Sequence, residues 1–300
     1  MNRRNFAKTF AGAALGSAAL DLATRAPAAL AAAQEHAEES PFKISIMLWT
    51  ILHTLPFEER LEKVAEAGYH AVELVGEYAN WTDEDYRRYN KRRRELGITF
   101  DTTAGTHHGV GDPNVREAFL ADVRSQMEIM KKLECPALIV MSGNVVPSLT
   151  PQQQHDSCVE GLKRAAELVE GKGVTLLVEN IDLEENPHYY MWSVPEAFKI
   201  VDEVNHPQVK FLYDFYHAQI SGGNLIAHLE RHHERVGLVH IADVPGRHQP
   251  GTGEINYINI YKKLAELNYH GYVAMEFRPS GDVVQILAAA RREALQAARA

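Results

Sequence analysis

The stretch from Val236 to Glu254 reads VGLVHIADVPGRHQPGTGE and indicates how the chain folds. It begins with a short apolar run, Val236–Ile241, of the kind that forms a buried strand. The residues that follow are rich in Pro and Gly, which predict a loop that ends the strand. The polar side chains of the stretch are of types that bind anions, metals or hydroxyls: His240, Asp243, Arg247, His248 and Glu254. If other strands also end in a His or a carboxylate, the chain is a parallel barrel with its site on one rim.

Seven further apolar runs repeat this pattern, and helical segments separate them. The predicted strands are Phe42–Thr50, Ala71–Gly76, Ile98–Gly105, Ala137–Gly143, Val174–Asn180, Val209–His217, Val236–Ile241 and Tyr272–Pro279. The predicted helices are Pro56–Gly68, Thr82–Gly97, Val115–Cys135, Thr150–Gly173, Ser193–Asn205, Gly223–Arg235, Tyr257–Leu267 and Val283–Ala298. This alternation predicts an α/β fold, a single (β/α)₈ TIM barrel. A doubly wound open sheet is the alternative, but it needs a glycine-rich loop after the first strand, and Thr50–His53 is not one.

The N-terminal segment differs from the rest of the chain. Arg3 and Arg4 precede a mildly apolar stretch rich in Ala, Gly and Leu, and a run of small residues follows. This order is typical of a bacterial export signal, and the paired arginines indicate the twin-arginine route. The alternative is an amphipathic helix or a retained membrane anchor, although the apolar run is too short for a good membrane span. We therefore expect residues 1–33 to be a twin-arginine-type signal, residues 34–300 to form the barrel domain, and the mature protein to be periplasmic or exported, with no membrane contact.

Charge and cysteine content narrow the range of partners. Loss of residues 1–33 removes four basic groups and one acid, which takes the formal charge from −9 to −12. An acidic chain repels phosphate backbones, which argues against nucleic acid as a partner. The two cysteines, Cys135 and Cys158, either pair in an oxidising compartment or remain buried thiols, and the sequence leaves both readings open. It equally leaves open whether the protein forms a homo-oligomer.

Metal-binding types of side chain stand at the ends of four successive predicted strands. An ionised group beside an apolar strand is costly unless it is paired or bound to a metal. Carboxylates together with an imidazole suit Mn²⁺, Mg²⁺ or Co²⁺ with open positions for substrate oxygens. Taken singly, each residue has an alternative as a solvated or salt-bridged rim residue. Taken together, they predict a site for one divalent metal ion, with these ligands: Glu179, Asp214, His240 and Glu276.

Longer motifs around these positions carry a family resemblance. The matching segments are Glu179, Asp214–His217 (DFYH), His240–Arg247 (HIADVPGR), Pro250–Tyr257 (PGTGEINY) and Glu276–Pro279 (EFRP). Together they resemble the xylose-isomerase-like sugar isomerase/epimerase superfamily, and within it the hydroxypyruvate isomerase branch, from about Phe42 to Pro279. The chain has ENID at Glu179–Asp182 where the branch usually has E-P-I-N, and EFRP where the branch has E-Y-K-P. These departures leave the metal ligands unchanged and the substrate open.

The resemblance implies roles for individual residues. Glu179 and Glu276 would bind the metal together with Asp214 and His240, and these two glutamates would also move protons. His217 and Arg247 would contact oxygens of the substrate.

Three other residues at the predicted rim are weaker candidates. We add Asp243 and His107 as candidate substrate contacts, and a hydrated loop is the alternative for His107. Trp49, at the end of the first predicted strand, is either a hydrophobic wall for the substrate or a core residue.

The predicted chemistry is proton transfer in a small α-hydroxycarbonyl compound. A divalent metal that holds the carbonyl and hydroxyl oxygens acidifies the C–H bond between them, and one glutamate removes that proton while the other returns one. Return to the neighbouring carbon of the enediolate makes an isomerase of the hydroxypyruvate isomerase type, acting on a hydroxy-keto or sugar substrate. A ketose 3-epimerase, a polyol dehydratase and a non-catalytic, exported sugar-binding barrel are alternatives on the same residues.

Overall fold

Eight short strands alternate with helices in a computed structural model that describes residues 40–300. The strands are β1 (Lys43–Met47), β2 (Ala71–Val75), β3 (Thr99–Ala104), β4 (Ala137–Val140), β5 (Thr175–Glu179), β6 (Val209–Asp214), β7 (Val236–Ile241) and β8 (Tyr272–Met275). Each strand pairs in parallel with the next, and β8 pairs with β1, which closes the barrel. The predicted (β/α)₈ barrel is therefore confirmed. The predicted export signal, residues 1–33, lies outside the described residues.

Helices follow the strands and cover the outside of the barrel. They are α1 (Phe57–Glu66), α2 (Asp83–Glu95), α3 (Arg116–Leu133), α4 (Pro151–Val169), α5 (Val194–Val204), α6 (Phe215–Ser221), α7 (Leu225–His232), α8 (Tyr257–Glu266) and α9 (Val283–Ala298). Their starts follow the expected capping chemistry. Thr82 and Thr150 each form a capping box with the residue three positions on, which satisfies backbone N–H groups that have no partner within the helix. None of the helices within residues 40–300 combines the length and apolar character that a membrane span needs.

Four predicted strands, the first, fourth, sixth and eighth, end three or four residues earlier than expected, because the chain turns as soon as it leaves the barrel. After β1, Leu48–Thr50 forms a 3₁₀ turn. After β6, the carboxylate of Asp214 accepts hydrogen bonds from the amides of Tyr216 and His217, and this N-cap starts α6 where the sequence pattern predicts strand. After β8, the amide of Glu276 still bonds to the carbonyl of Ile241, but the ladder ends there. The turns place the polar residues on the rim.

An apolar layer fills the inside of the barrel below that rim. One inward side chain from each of six strands forms it: Met47, Ile139, Leu177, Leu212, Leu238 and Ala274. β7 has a bulge at Gly237, since Phe211 pairs with Val236 whereas the next residue, Leu212, pairs with Leu238. The bulge decides which side chains of β7 point into the barrel. A Cβ at Gly237 would lie 2.7 Å from the side chain of Leu177, so only glycine fits. The bulge leaves both Leu238 and, two residues later, His240 pointing inward.

The two cysteines are buried thiols. Cys135 and Cys158 are free in the structure, which decides between the two readings left open by the sequence. Burial raises the pKa of both thiols, that of Cys158 to about 12. Thiolates are the reactive form of cysteine, so these side chains act as small apolar core residues.

Candidate metal centre and active site

Four side chains meet at the carboxyl end of the barrel. Each offers one ligand atom, and these atoms all lie within 4.8 Å of one another. We call these four residues the carboxylate–histidine cluster: Glu179, Asp214, His240 and Glu276. They come from the ends of β5, β6 and β7 and from the residue after β8, and all four are buried. The structure thus brings together the residues that the sequence predicts as metal ligands.

The donor atoms of this cluster fit a divalent cation. Within residues 40–300, no hydrogen-bond partner is found for Oδ2 of Asp214, Nδ1 of His240 or Oε2 of Glu276. Nδ1 of His240 lies close to two carboxylate oxygens without the geometry of a hydrogen bond, 2.7 Å from Oε2 of Glu276 and 3.6 Å from Oε1 of Glu179. Buried polar atoms without partners are costly, and a cation among them would satisfy all of them at once. Three carboxylates and one imidazole suit the metals that prefer oxygen and nitrogen ligands.

His240 also contacts a carboxylate that the sequence analysis did not single out. Its Nε2 lies 3.0 Å from Oε2 of Glu73, which stands in the middle of β2 and is fully buried. Glu73 escaped notice because it does not end a strand. The signal for it is a charged residue inside the apolar run AVELV at a position that alternation turns inward.

His217 joins the cluster from the first turn of α6. Its Nε2 lies 3.5 Å from Oδ2 of Asp214, and its Nδ1 lies 2.5 Å from Oδ2 of Asp182. Burial acts to lower the pKa of His217, but the carboxylate of Asp214 and the hydrogen bond to Asp182 outweigh it and raise the pKa to about 9. The raised pKa favours the protonated ring of His217, which Asp182 fixes at Nδ1 and which faces the cluster through Nε2. Asp182 is a second contact that sequence reasoning missed.

Arg247 approaches the cluster from the loop after β7. Its Nη2 lies 2.6 Å from Oε1 of Glu276, and its Nη1 lies 2.7 Å from Oε2 of Glu185. Burial acts to raise the pKa of Glu276, but Arg247 and His240 outweigh burial and hold this pKa below its ordinary value. The backbone of Arg247 has φ +56°, a conformation that residues other than glycine rarely adopt and that occurs often at functional sites.

Trp49 lies in the turn that follows β1 and contacts the carboxylate–histidine cluster. Its indole Nε1–H donates a hydrogen bond to Oε1 of Glu276 over 2.9 Å, and its ring lies 5.4 Å from the guanidinium of Arg247. Of the two readings left open by the sequence, the structure thus favours a side chain that lines the site. Oε1 of Glu276 is held by two donors, which leaves Oε2 facing the cluster.

The sequence analysis predicts Asp243 as a substrate contact, whereas in the structure its carboxylate is bonded within its own loop. Its two carboxylate oxygens accept hydrogen bonds from backbone amides of its own loop, at Val244, Gly251, Gly253 and Ile255. A Cβ at Gly253 would collide with the carbonyl of Val244, so glycine is required for this wrapping. The side chain is fully buried by the loop and shapes the segment that carries Arg247.

The contact that the structure shows for His107 is with Asp122 and not with the carboxylate–histidine cluster. Its side chain is exposed, and its amide donates to Oδ2 of Asp122, which also binds the neighbouring His108. This arrangement corresponds to the hydrated-loop alternative. A substrate contact by His107 stays a prediction.

A closed parallel barrel that gathers three carboxylates and an imidazole at the ends of its last four strands defines a TIM-barrel protein with a candidate metal centre. Residues 61–299 match the family described as xylose isomerase-like TIM barrel, and the chain belongs to this family. The family resemblance inferred from the motifs is confirmed.

Proteins from several organisms are similar in sequence to most of this chain. The hydroxypyruvate isomerase of Escherichia coli K12 is 29% identical over 228 residues, which cover 74% of this chain and 88% of that enzyme. The 2-oxo-tetronate isomerase of Pectobacterium atrosepticum is 29% identical over 247 residues, covering 80% and 93%. The crystal structure of an AP endonuclease, family 2, from Brucella melitensis is 28% identical with a TM-score of 0.76, covering 83% and 98%. The prediction of an isomerase-type enzyme is confirmed by the named relatives.

Proposed function

We propose that this protein is a divalent-metal-dependent isomerase that interconverts a small α-hydroxycarbonyl compound by proton transfer between Glu179 and Glu276. The observation that carries the proposal is the carboxylate–histidine cluster, in which Asp214, His240 and Glu276 each present a buried atom with no hydrogen-bond partner within residues 40–300. We propose Mn²⁺, Mg²⁺ or Co²⁺ as the ion, held by the four residues of the cluster. When bound, the ion supplies positive charge that stabilises an enediolate developing on the substrate.

The positions of Glu179 and Glu276 support the proposed proton-transfer pair. Both carboxylates lie near Nδ1 of His240, and the proposal puts the substrate between them. Glu276 is kept ionised by Arg247, and an ionised carboxylate can accept a proton from a C–H bond. Glu179 would return a proton to the neighbouring carbon. Donors already fixed in place stabilise developing charge without having to reorganise.

His217 and Arg247 supply the remaining donors. Asp182 holds the ring of His217, so its Nε2–H can donate to an oxygen that becomes negative in the reaction. Nη1 and Nη2 of Arg247 already contact Glu185 and Glu276, so we assign its Nε–H, which has no hydrogen-bond partner within residues 40–300, to an oxygen of the substrate. A hydroxy-keto acid such as hydroxypyruvate fits this combination, as the name of the Escherichia coli relative also suggests.

A DNA-repair function is not favoured, although one structural neighbour is titled as an endonuclease. Within residues 40–300, one group of at least three metal-binding side chains is found, the carboxylate–histidine cluster, and we assign it to the isomerase reaction. The charge of −12 expected for residues 34–300 also repels a phosphate backbone.

Metal content and solvent exchange test the proposal together. We would load the full chain with Mn²⁺, remove the excess and count metal per chain by mass spectrometry, then incubate hydroxypyruvate and free ketoses with the enzyme in D₂O. We expect about one ion per chain and deuterium in carbon-bound positions of a substrate, because a proton carried by a glutamate exchanges with solvent. Glu179→Gln should abolish deuterium entry at the neighbouring carbon, to which we propose that Glu179 returns the proton.

The exposed Glu170→Gln is a matched control and should behave as wild type. Deuterium at the same carbon with inverted configuration would indicate the epimerase alternative, and loss of water the dehydratase. Sugar binding without turnover in wild type would indicate the binding barrel. No retained metal and no exchange after metal is added would refute the proposal.

We also propose that the enzyme is exported by the twin-arginine route after recognition of residues 1–33. The support is the sequence of that segment alone. Cell fractionation tests this proposal, because replacing Arg3 and Arg4 by lysine should hold the protein in the cytoplasm. Export of the double variant at the wild-type level would refute the twin-arginine route.

A further inference from the structure

Glu73 is a buried carboxylate whose location the proposed reaction does not explain. It stands on β2 with no exposed surface, and its Oε2 lies 3.0 Å from Nε2 of His240. It is not one of the four residues of the carboxylate–histidine cluster. It contacts the imidazole on the side opposite to the cluster, since Nδ1 of the same ring faces Glu276 and Glu179.

The position of Glu73 inside the barrel is unfavourable for a carboxylate, because it is fully buried beside the apolar layer. In the barrel register it pairs with Met47, which belongs to the apolar layer inside the barrel. An apolar residue at position 73 would match this layer, and a buried carboxylate costs free energy unless a partner compensates it. Among the described residues, 40–300, the hydrogen bond found for the Glu73 carboxylate goes to His240. The arrangement therefore serves His240 and not the packing of the barrel.

We propose that Glu73 is a positioning residue that fixes His240 as a metal ligand. If Nε2–H donates to Glu73, the neutral ring carries its only proton on Nε2, and the lone pair of Nδ1 points at the cluster. A carboxylate behind a ligating histidine also holds the plane of the ring and strengthens its donor atom. This inference rests on the proposed metal-dependent function, and it assigns to β2 a role in binding the ion.

Asp101 provides a matched control in the same interior. It stands on the neighbouring strand β3 as the extra residue of a bulge, because Val72 pairs with Phe100 and Glu73 with Thr102. Asp101 is 1% exposed, and its Oδ1 accepts a hydrogen bond from the hydroxyl of Ser45 over 2.7 Å. It is thus an equally buried carboxylate, bonded to a serine instead of a metal ligand.

A Mn²⁺ titration of full-length variants tests the assignment. Free Mn²⁺ would be measured by its electron paramagnetic resonance signal for wild type, Glu73→Gln, Glu73→Met and Asp101→Asn. Loss of such a partner typically weakens metal binding about 10- to 100-fold. We expect about a tenfold higher Kd for Glu73→Gln, which keeps a neutral acceptor, a larger increase for Glu73→Met, and less than a twofold change for Asp101→Asn.

Two further measurements separate positioning from general damage to the fold. The thermal unfolding midpoint of metal-free Glu73→Met should not fall below that of Asp101→Asn, because an apolar side chain suits the layer around position 73. In wild type loaded with Zn²⁺, which is diamagnetic, ¹⁵N NMR of His240 should show the proton on Nε2. A proton on Nδ1 would overturn the inference, since Nδ1 could then not bind the ion.

The possible failures are distinguishable. If wild type binds no Mn²⁺, the metal-dependent function fails and the role of Glu73 fails with it. If wild type binds Mn²⁺ and both Glu73 variants bind it with the wild-type Kd, the metal site stands and the role of Glu73 is refuted. If Asp101→Asn weakens binding as much as the Glu73 variants do, the effect belongs to buried carboxylates in general and the specific assignment is also refuted.

Discussion

The two halves of the barrel contribute to the site in different ways. Each of β5, β6 and β7, and the residue after β8, places one metal-type ligand on the rim. The half from β1 to β4 contributes Trp49, which donates to Glu276, and Glu73, which contacts His240 from below. The second half therefore carries the proposed metal ligands and proton-transfer residues, and the first half carries contacts to two of them. This division predicts that substitutions in the second half have the larger effects.

The largest effect is expected for Glu276→Gln. The substitution keeps the size of the side chain but removes the carboxylate that we assign to proton transfer, and general-base catalysis typically contributes 10²–10⁴-fold. We expect kcat for the substrate found by the exchange experiment to fall about 10³-fold, measured by steady-state kinetics with saturating Mn²⁺. The matched control is the exposed Glu254→Gln, whose carboxylate bonds to Gln219 and should leave kcat unchanged. A fall of less than tenfold in Glu276→Gln would remove Glu276 from the proton-transfer pair.

A smaller effect is expected in the first half, for Trp49→Phe. Phenylalanine keeps an aromatic ring beside Arg247 but cannot donate to Oε1 of Glu276. A hydrogen bond to a charged group contributes roughly 1.5–3 kcal/mol, and Arg247 continues to hold the same oxygen, so we expect kcat/KM to fall only about tenfold. The expected loss is carried by kcat, because the bond orients a reacting group. If Trp49→Phe were as damaging as Glu276→Gln, the proposed difference between the halves would be wrong.

The sequence predicts the second half better than the first for a physical reason. Metal-type residues that end apolar strands are visible as a pattern, and a parallel barrel brings all strand ends to one rim. Glu179, Asp214, His240 and Glu276 could therefore be grouped without coordinates. Glu73 belongs to the interior of a strand, and its meaning depends on a contact with a residue 167 positions away.

Local side-chain chemistry limits the prediction in two other places. The pattern alone predicts Val209–His217 as one strand, whereas Asp214 caps a new helix and turns His217 toward the cluster. Asp243 has the residue type and the position of a substrate ligand, yet four backbone amides occupy its oxygens. Which partner a carboxylate finds depends on the path of the following loop, and hydropathy does not encode that path.

In the outer layer of helices, a histidine and two glutamates form a contact between α4 of the first half and α5 of the second half. His155 on α4, which follows β4, is buried and lies between two carboxylates of α5, which follows β5. Its Nδ1 is 2.7 Å from Oε1 of Glu196, and its Nε2 is 3.0 Å from Oε2 of Glu203. Burial acts to lower the pKa of His155, but the hydrogen bonds to Glu196 and Glu203 outweigh it, and the pKa is raised above the ordinary value of 6.5.

The smallest predicted effect is a dependence of stability on pH at this contact between the halves. Because the pKa of His155 is higher in the folded chain, its contribution is complete below about pH 6.5 and is lost as pH rises through the raised value. Glu196 and Glu203 are 32% and 46% exposed, so solvent screens the pair and the contribution is about 0.5–1 kcal/mol. Between pH 6 and pH 9, the free energy of unfolding of metal-free wild type should fall by about this amount more than that of His155→Gln, measured by urea denaturation. Replacement of the exposed His53 by glutamine should leave the wild-type dependence unchanged. If His155→Gln keeps that dependence as well, protonation of His155 does not hold the two halves together.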